Sequence, residues 1–391
     1  MKHHVAHLGH HHKLYTLCFI GFLITISQTL PTYINSSFLN TFTNEQTVGL
    51  IYSIVSLSTI VSFLLVHYVL KRFGLYRATV VFSLLQFICI FGIINSGSLA
   101  IVGPLFVCLL VLMNLTSFNL DIFLEADSDT KHTGSIRGLY MTVVNIGWLL
   151  TPMFAGALIE DGGYAKIFTV SAMFLLPFIY LVNKGFAHFK DPVYSKLSIR
   201  QSLNATFANK DLRNLFLANI TLQTFYAWMI VYSPIYLNKY LHYGWDDIGI
   251  IFTIMLLPFV LVEYPLGKLS DRKWGEKELM CAGFILLSIS TMCLTFLDHT
   301  SIIWWAIMLF ITRIGAAMAE IMIETYFFKK VQEKDSNLLG IFRITRPMSY
   351  FIAPAITGIG LMFVEYQHLF IILGVFTLLG AFFSTRITDT N

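Results

Sequence analysis

The sequence predicts an all-α polytopic membrane protein whose twelve transmembrane helices form two pseudo-symmetric six-helix bundles. Three observations carry this: a scarcity of charge, twelve apolar runs of spanning length, and local patterns that recur between the halves. Of 391 residues, 56% are hydrophobic and 12% charged. That is about half the roughly 25% charge of a water-soluble domain. Mean hydropathy is +0.70. This composition excludes a disordered chain, a collagen-like chain and an ordinary cytosolic enzyme. The net charge of +4 is not gathered into a basic block, so no nucleic-acid partner is expected. The five cysteines all sit in apolar segments, without metal-ligand or disulfide-framework spacing.

A membrane helix needs about 20 mostly apolar residues. Such runs occur at 14–34, 47–70, 76–96, 99–126, 135–159, 165–184, 213–237, 247–268, 279–297, 301–328, 338–363 and 367–386. The expected division is a His-rich tail at 1–13, a bundle at 14–184, a linker at 185–212, a bundle at 213–386 and a tail at 387–391. The linker is polar and basic, and Ile199, Leu203 and Phe207 recur at i, i+4, i+8. That is the stripe of a short amphipathic helix lying on a membrane surface. The tail's His3, His4, His7, His10, His11 and His12 could bind a transition metal, but they are read as solvated or as an added tag, and no metal site is assigned.

Orientation follows from Lys and Arg, which accumulate in cytoplasmic loops. With the N-terminus inside, 23 of the 26 fall in inner loops and tails, Lys166 and Lys239 fall outside, and Arg313 lies within a span. Both termini and the linker are therefore expected in the cytoplasm of a bacterial inner membrane.

The two halves repeat. P-T-Y-I-N at Pro31–Asn35 closes span one and P-I-Y-L-N at Pro234–Asn238 closes span seven. Spans two and eight open with Val48–Tyr52 and Ile248–Phe252. Asp121 and Glu125 in span four match Glu320 and Glu324 in span ten. The Pro152 region of span five matches the Pro354 region of span eleven. Recurrence in one order marks a duplicated six-helix unit, a way in which transporters are built.

The loop after span eight reads Gly267, Lys268, Leu269, Ser270, Asp271, Arg272, Lys273, Trp274, Gly275, Glu276, Lys277. This resembles the G-x-L-x-D-R-x-G-x-[RK] signature of the major facilitator superfamily. In the equivalent first-half loop, aligned on Gly74, Val66 and Leu70 replace the first Gly and the Asp, while Lys71 and Arg72 remain. Arg313-Ile-Gly-Ala-Ala in span ten is similar to the family's Arg-bearing motif of span four. Gly147, Pro152 and Gly156 match its antiporter pattern, with Thr151 and Ala155 replacing two glycines. The resemblance implies a secondary active transporter working by alternating access, with spans one, four, seven and ten lining its cavity. It also implies that Asp271 caps the N-terminus of a neighbouring helix when the cavity faces outward.

A charge at mid-bilayer costs about 2.5 to 3.5 kcal/mol on insertion scales. Arg313, Glu320 and Glu324 are spaced 7 and 4, which places them on one helix face, as it does Asn114, Asp121 and Glu125. Asp121, Glu320 and Glu263 are the proton-coupling candidates. Asp121, with only Asn114 on its stripe, is expected to carry the proton better than Glu320, which has Arg313. Structural ion pairs are the competing reading of these acids, and Arg313 could instead bind an anionic group of a substrate. Gln28, Asn114, Gln223, Tyr226, Trp228, Tyr232 and Arg313 are the substrate-cavity candidates. The cytoplasmic gate is assigned to Gly267, Asp271, Arg272, Gly275 and Lys277, with Glu125, Glu324, Lys71, Arg72 and Arg77. Pro152 and Pro354 are expected kinks.

These features lead to an expected carrier for a small organic solute, exported in exchange for protons. Proton symport or facilitated uptake of a sugar-like solute is the alternative. An integral-membrane enzyme is disfavoured, because no Ser/His/Asp or di-His/acid cluster appears at a membrane face. No GxxxxGK[ST] loop points to ATP, and no cofactor is expected. The expected partners are the solute, protons and lipid, with a monomer as the working unit.

Overall fold

The computed structural model describes residues 2–32, 34–43, 45–126, 133–191, 199–270, 275–297, 301–331 and 336–388. These form fourteen α-helices and no strand among the described residues. They are α1 (Lys2–Thr29), α2 (Asn35–Asn40), α3 (Glu45–Phe73), α4 (Leu75–Ile94), α5 (Leu99–Ala126), α6 (Thr133–Phe186) and α7 (Ile199–Ala208), then α8 (Lys210–Ile235), α9 (Trp245–Ser270), α10 (Glu276–Cys293), α11 (Ile302–Lys330), α12 (Ser336–Arg343), α13 (Thr345–Gly360) and α14 (Leu369–Ser384). In hydrocarbon every backbone polar group must bond internally, so apolar runs of this length fold as helices.

Among the described residues, nine helices are long and apolar enough to cross a membrane, and Leu14–Thr29 is a shorter apolar helix. Each of the twelve predicted runs falls on helix. Spans five and six lie in α6, which breaks at Gly163, where φ is 68° and ψ −167°. Only glycine adopts that conformation readily. Span eleven is divided between α12 and α13. Span one differs most, because α1 runs back to Lys2 through the His-rich segment expected as a tail.

Between spans six and seven lies the short helix α7, Ile199–Ala208, and Phe207 meets Phe216 with ring centroids 5.5 Å apart. The next helix starts at Asn209, whose side-chain oxygen accepts from the backbone N–H groups of Asp211 (2.9 Å) and Leu212 (3.2 Å). This N-cap satisfies two of the donors that a helix start leaves open. Span seven ends in a single π turn, Tyr236–Tyr240.

The chain divides into two compact units. One comprises Met1–Ser128, Ile146–Ile199 and Glu333–Ile344, and the other Asp129–Asn145, Arg200–Gln332 and Thr345–Asn391. Each half of the sequence thus lends a short piece to the other half's unit. In the first unit α12 packs on α3, and Gly340 faces the Phe63 carbonyl, 2.6 Å from where a Cβ would stand. In the second unit the start of α6 packs on α9 in the same way: a Cβ on Gly138 would stand 2.8 Å from the Glu263 carbonyl, and one on Gly267 would strike the Gly134 carbonyl. Only glycine permits backbones to approach so closely.

Candidate functional site

In the second unit the intramembrane candidates Tyr226, Glu263, Arg313, Glu320 and Glu324 lie on α8, α9 and α11, helices that carry spans seven, eight and ten. Tyr226 Oη donates to Glu320 Oε2 at 2.7 Å. The Arg313 guanidinium carbon lies 5.0 Å from the Phe225 ring centroid and 5.6 Å from that of Tyr226, within reach of a cation–π attraction. The Phe259 ring of α9 is 6.0 Å from Tyr226. Arg313 and Glu324 are buried, whereas Tyr226, Gln223 and Glu320 are half-buried. The spacing-derived stripe of Arg313, Glu320 and Glu324 thus gains a hydroxyl donor from span seven.

Glu263 is 0% exposed. Its Oε2 accepts from Asn145 Nδ2 at 2.8 Å, and its Oε1 has no hydrogen-bond partner. Asn145 stands at the end of the α6 segment that belongs to this unit. Sequence reasoning missed it, since an amide on span five carries no signal until the glycine contacts place that helix on α9.

Asp121 of the first unit differs from expectation. Its Oδ2 accepts from both Arg343 Nε and Arg343 Nη2, each at 2.8 Å. Asp121 is therefore not left with Asn114 alone, as its own helix suggests, because α12 brings it an arginine that by sequence counts only as a loop charge. Asn114 bonds within its own helix, donating to the Leu110 carbonyl at 2.8 Å. Gln28 donates to the Met113 carbonyl and accepts from Ser117, both at 3.2 Å, so spans one and four share a polar, uncharged patch.

Trp228, a cavity candidate, is 1% exposed and packs between Tyr232 (5.4 Å) and Phe370 (5.2 Å), which makes it core. Tyr232 is half-buried, and its carbonyl accepts from Tyr366 at 3.2 Å. Tyr366 in turn stacks on Tyr236 of the π turn, with centroids 5.7 Å apart and planes 8° apart.

Of the gate assignments, Asp271 and Arg272 lie outside the described residues, as do the side chains of Pro152 and Pro354. Gly267 and Gly275 are buried, Lys277 and Glu125 half-buried, and Lys71, Arg72 and Arg77 exposed. Two carboxylates stand at helix starts where the sequence did not place them. Asp191 Oδ1 accepts from Leu75 N at 2.6 Å, at the first residue of α4. The first-half loop lacks the family's aspartate, and Asp191 brings a carboxylate to this helix start from beyond span six. Gly74, with φ 80°, leaves room for it. In the second unit Glu276 opens α10, is fully buried, and pairs with Lys329 at 2.5 Å.

Residues 215–390 match the family model described as Major Facilitator Superfamily. Comparison with curated proteins gives no significant match. Among solved structures, the chain is similar to the Escherichia coli fucose:proton symporter FucP, with TM-score 0.78, 13% identity, and 95% of this chain and 97% of that one covered. It is similar to the human organic anion transporter MFSD10 (TETRAN), with TM-score 0.76, 12% identity, and 95% and 99% covered. A structure titled as FucP in the outward conformation gives TM-score 0.77, 14% identity, and 95% and 97% covered. The chain is therefore an integral membrane protein with the major facilitator fold.

Proposed function

We propose that this major-facilitator-fold protein is a secondary active transporter that moves a small organic solute by alternating access, coupled to protons. The observation that carries the reading is the cluster in the second unit: Tyr226 on Glu320, Arg313 against two aromatic rings, and Glu263 fully buried beside them. Intramembrane charges are costly, and where they persist they mark ion or substrate paths. A half-buried hydroxyl–carboxylate pair beside a guanidinium and aromatic faces can hold a polar organic molecule of modest size. A wholly buried glutamate suits a proton better than a fixed charge.

Export in exchange for protons is the preferred direction, on the antiporter-like pattern of span five. Symport is the second reading, because one structural neighbour is titled a proton symporter. Coupling is assigned to Glu263 and Glu320. Asp121, held by Arg343, is assigned to closing the inner end of its unit.

The test is flux in proteoliposomes across a panel of small solutes, with and without a pH gradient. Gradient-dependent flux of at least one solute, lost in Glu320→Gln, is the expected outcome. Chemical turnover without flux would sink the reading.

A further inference from the structure

The internal repeat pairs the two glycine-lined seams described above. Gly138 and Gly340 are 202 residues apart, as are Pro152 and Pro354, and each faces the carbonyl of one residue in the partner span. Those residues, Glu263 and Phe63, are 200 apart, as are the matched openings of spans eight and two. The same backbone joint therefore exists twice with different chemistry at its centre. In the first unit Phe63 is buried against Phe118, with centroids 5.8 Å apart, and Arg343 clasps Asp121 beside it. In the second unit the Phe63 position is an acid, and 202 residues before Arg343 stands Met141. Instead, Asn145 donates to Glu263.

The acid at this joint has no solvent-accessible surface. Glu263 is fully buried, one oxygen receives a single amide donor, and the other has no hydrogen-bond partner. The ionisable groups that act on it are Glu320 and Glu324 on α11 and Tyr226 on α8, and the bases of the packed elements are Arg313 on α11 and Arg137 on the start of α6. Glu320 and Glu324 are the charges close enough to act on it directly, and both are acids. Arg137 is turned onto the Phe328 ring, 3.2 Å from its centroid, and Arg313 onto Phe225 and Tyr226. Among the described residues no salt bridge reaches Glu263. In such a place the neutral acid is favoured over a bare carboxylate, whose charge would be buried without a counter-ion.

We propose that Asn145 is the positioning residue of the proton carrier Glu263, and that the seam between the start of α6 and α9 closes only over the protonated acid. The inference rests on the proposed proton-coupled transport and adds where the proton is read. With Glu263 as –COOH, its carbonyl oxygen accepts from Asn145 and the helices meet at Gly138 and Gly267. When the seam parts, water enters, the O–H proton passes to water, and the carboxylate that remains keeps the seam open. Reprotonation closes it. At the Phe63 position the first-unit seam has no titratable counterpart to Glu263, although His67 lies four residues further along α3 and the Asp121–Arg343 pair stands beside it, and this seam serves as a mechanical latch.

Hydrogen exchange on the full chain in nanodiscs, from pH 5 to 9 and corrected for intrinsic rates, reads both seams at once. Protection of 133–145 and 259–270 should fall as pH rises, while 336–343 stays flat, as does 59–70 in a His67→Gln background that removes the one histidine of that segment. Glu263→Gln, which keeps the shape and cannot ionise, should hold the second seam protected at every pH. Glu263→Asp should keep the response. Asn145→Ala removes one hydrogen bond that favours closure, so the midpoint should move to lower pH by about half to one unit. A response that survives in Glu263→Gln, or that appears equally in both seams, overturns the inference. Proton-driven flux without a pH-dependent seam overturns this inference and leaves the transporter standing. A pH-dependent seam in a chain that carries no solute keeps the seam and removes the transporter.

Discussion

At the scale of single residues, the bond from Tyr226 to Glu320 ties span seven to the charged face of span ten. Glu320 and Arg313 were identifiable because a charge in an apolar run needs a reason, and their spacing places them on one face. The hydroxyl that completes the pair, Tyr226, was a cavity candidate, but nothing in the spacing joined it to Glu320. Their bond at 2.7 Å is the kind whose loss costs about 1.5 to 3 kcal/mol when one partner is charged. Tyr226→Phe should therefore reduce solute flux or affinity roughly tenfold or more, with the fold intact by circular dichroism. Unchanged transport would remove Tyr226 from the site. Asp121 teaches the opposite lesson. Its helix offered it only an amide, and its arginine comes from 222 residues along the chain. With Arg343 about a quarter exposed, breaking this pair should cost about 2 kcal/mol after solvent screening. Asp121→Asn and Arg343→Gln should lower thermal stability by similar amounts, and the double variant should be less than additive. Full additivity would show that the two residues act separately.

At the scale of elements, hydropathy located the spanning helices because lipid forces the backbone of each apolar run to satisfy itself. The boundaries that moved are those governed by other forces. The helical His-rich stretch, the break at Gly163 and the division of span eleven at Ile344 have no hydropathic signature. The seams were equally hidden: Gly267 was legible as a signature residue, but its purpose is steric, since its α-carbon faces the Gly134 carbonyl. Replacing Gly138 or Gly267 by Ala should force α6 and α9 apart, at about 1 to 3 kcal/mol for overpacking. Thiol or exchange probes should find 133–145 more accessible in both variants. Gly97→Ala is the control, since a Cβ there meets nothing within 4 Å and the cost should stay within about 0.5 kcal/mol. Equal accessibility in all three would show that the seam tolerates side chains.

At the scale of the whole molecule, the duplicated pattern and the charge asymmetry make one combined prediction, because both depend on the number of spans. If one helix were miscounted, every later loop would change sides and the split of 23 inner to 2 outer cations would collapse. Orientation also decides which way the proton leaves. With the N-terminus inside, α9 runs inward from Trp245 to Ser270, and Glu263 lies seven residues from its inner end. At 1.5 Å per residue that is about 10 Å, so the acid-bearing seam opens toward the cytoplasm. The check is to remove the five native cysteines and place single ones at exposed positions. Ser98→Cys lies between spans three and four, and Asn204→Cys lies on the linker helix α7. In intact cells an impermeant maleimide should label the first and spare the second, and in inverted vesicles the preference should reverse. Labelling of Asn204→Cys from outside would invert the topology. The Glu263 seam would then face the exterior, and a proton released there would drive the solute in the opposite direction.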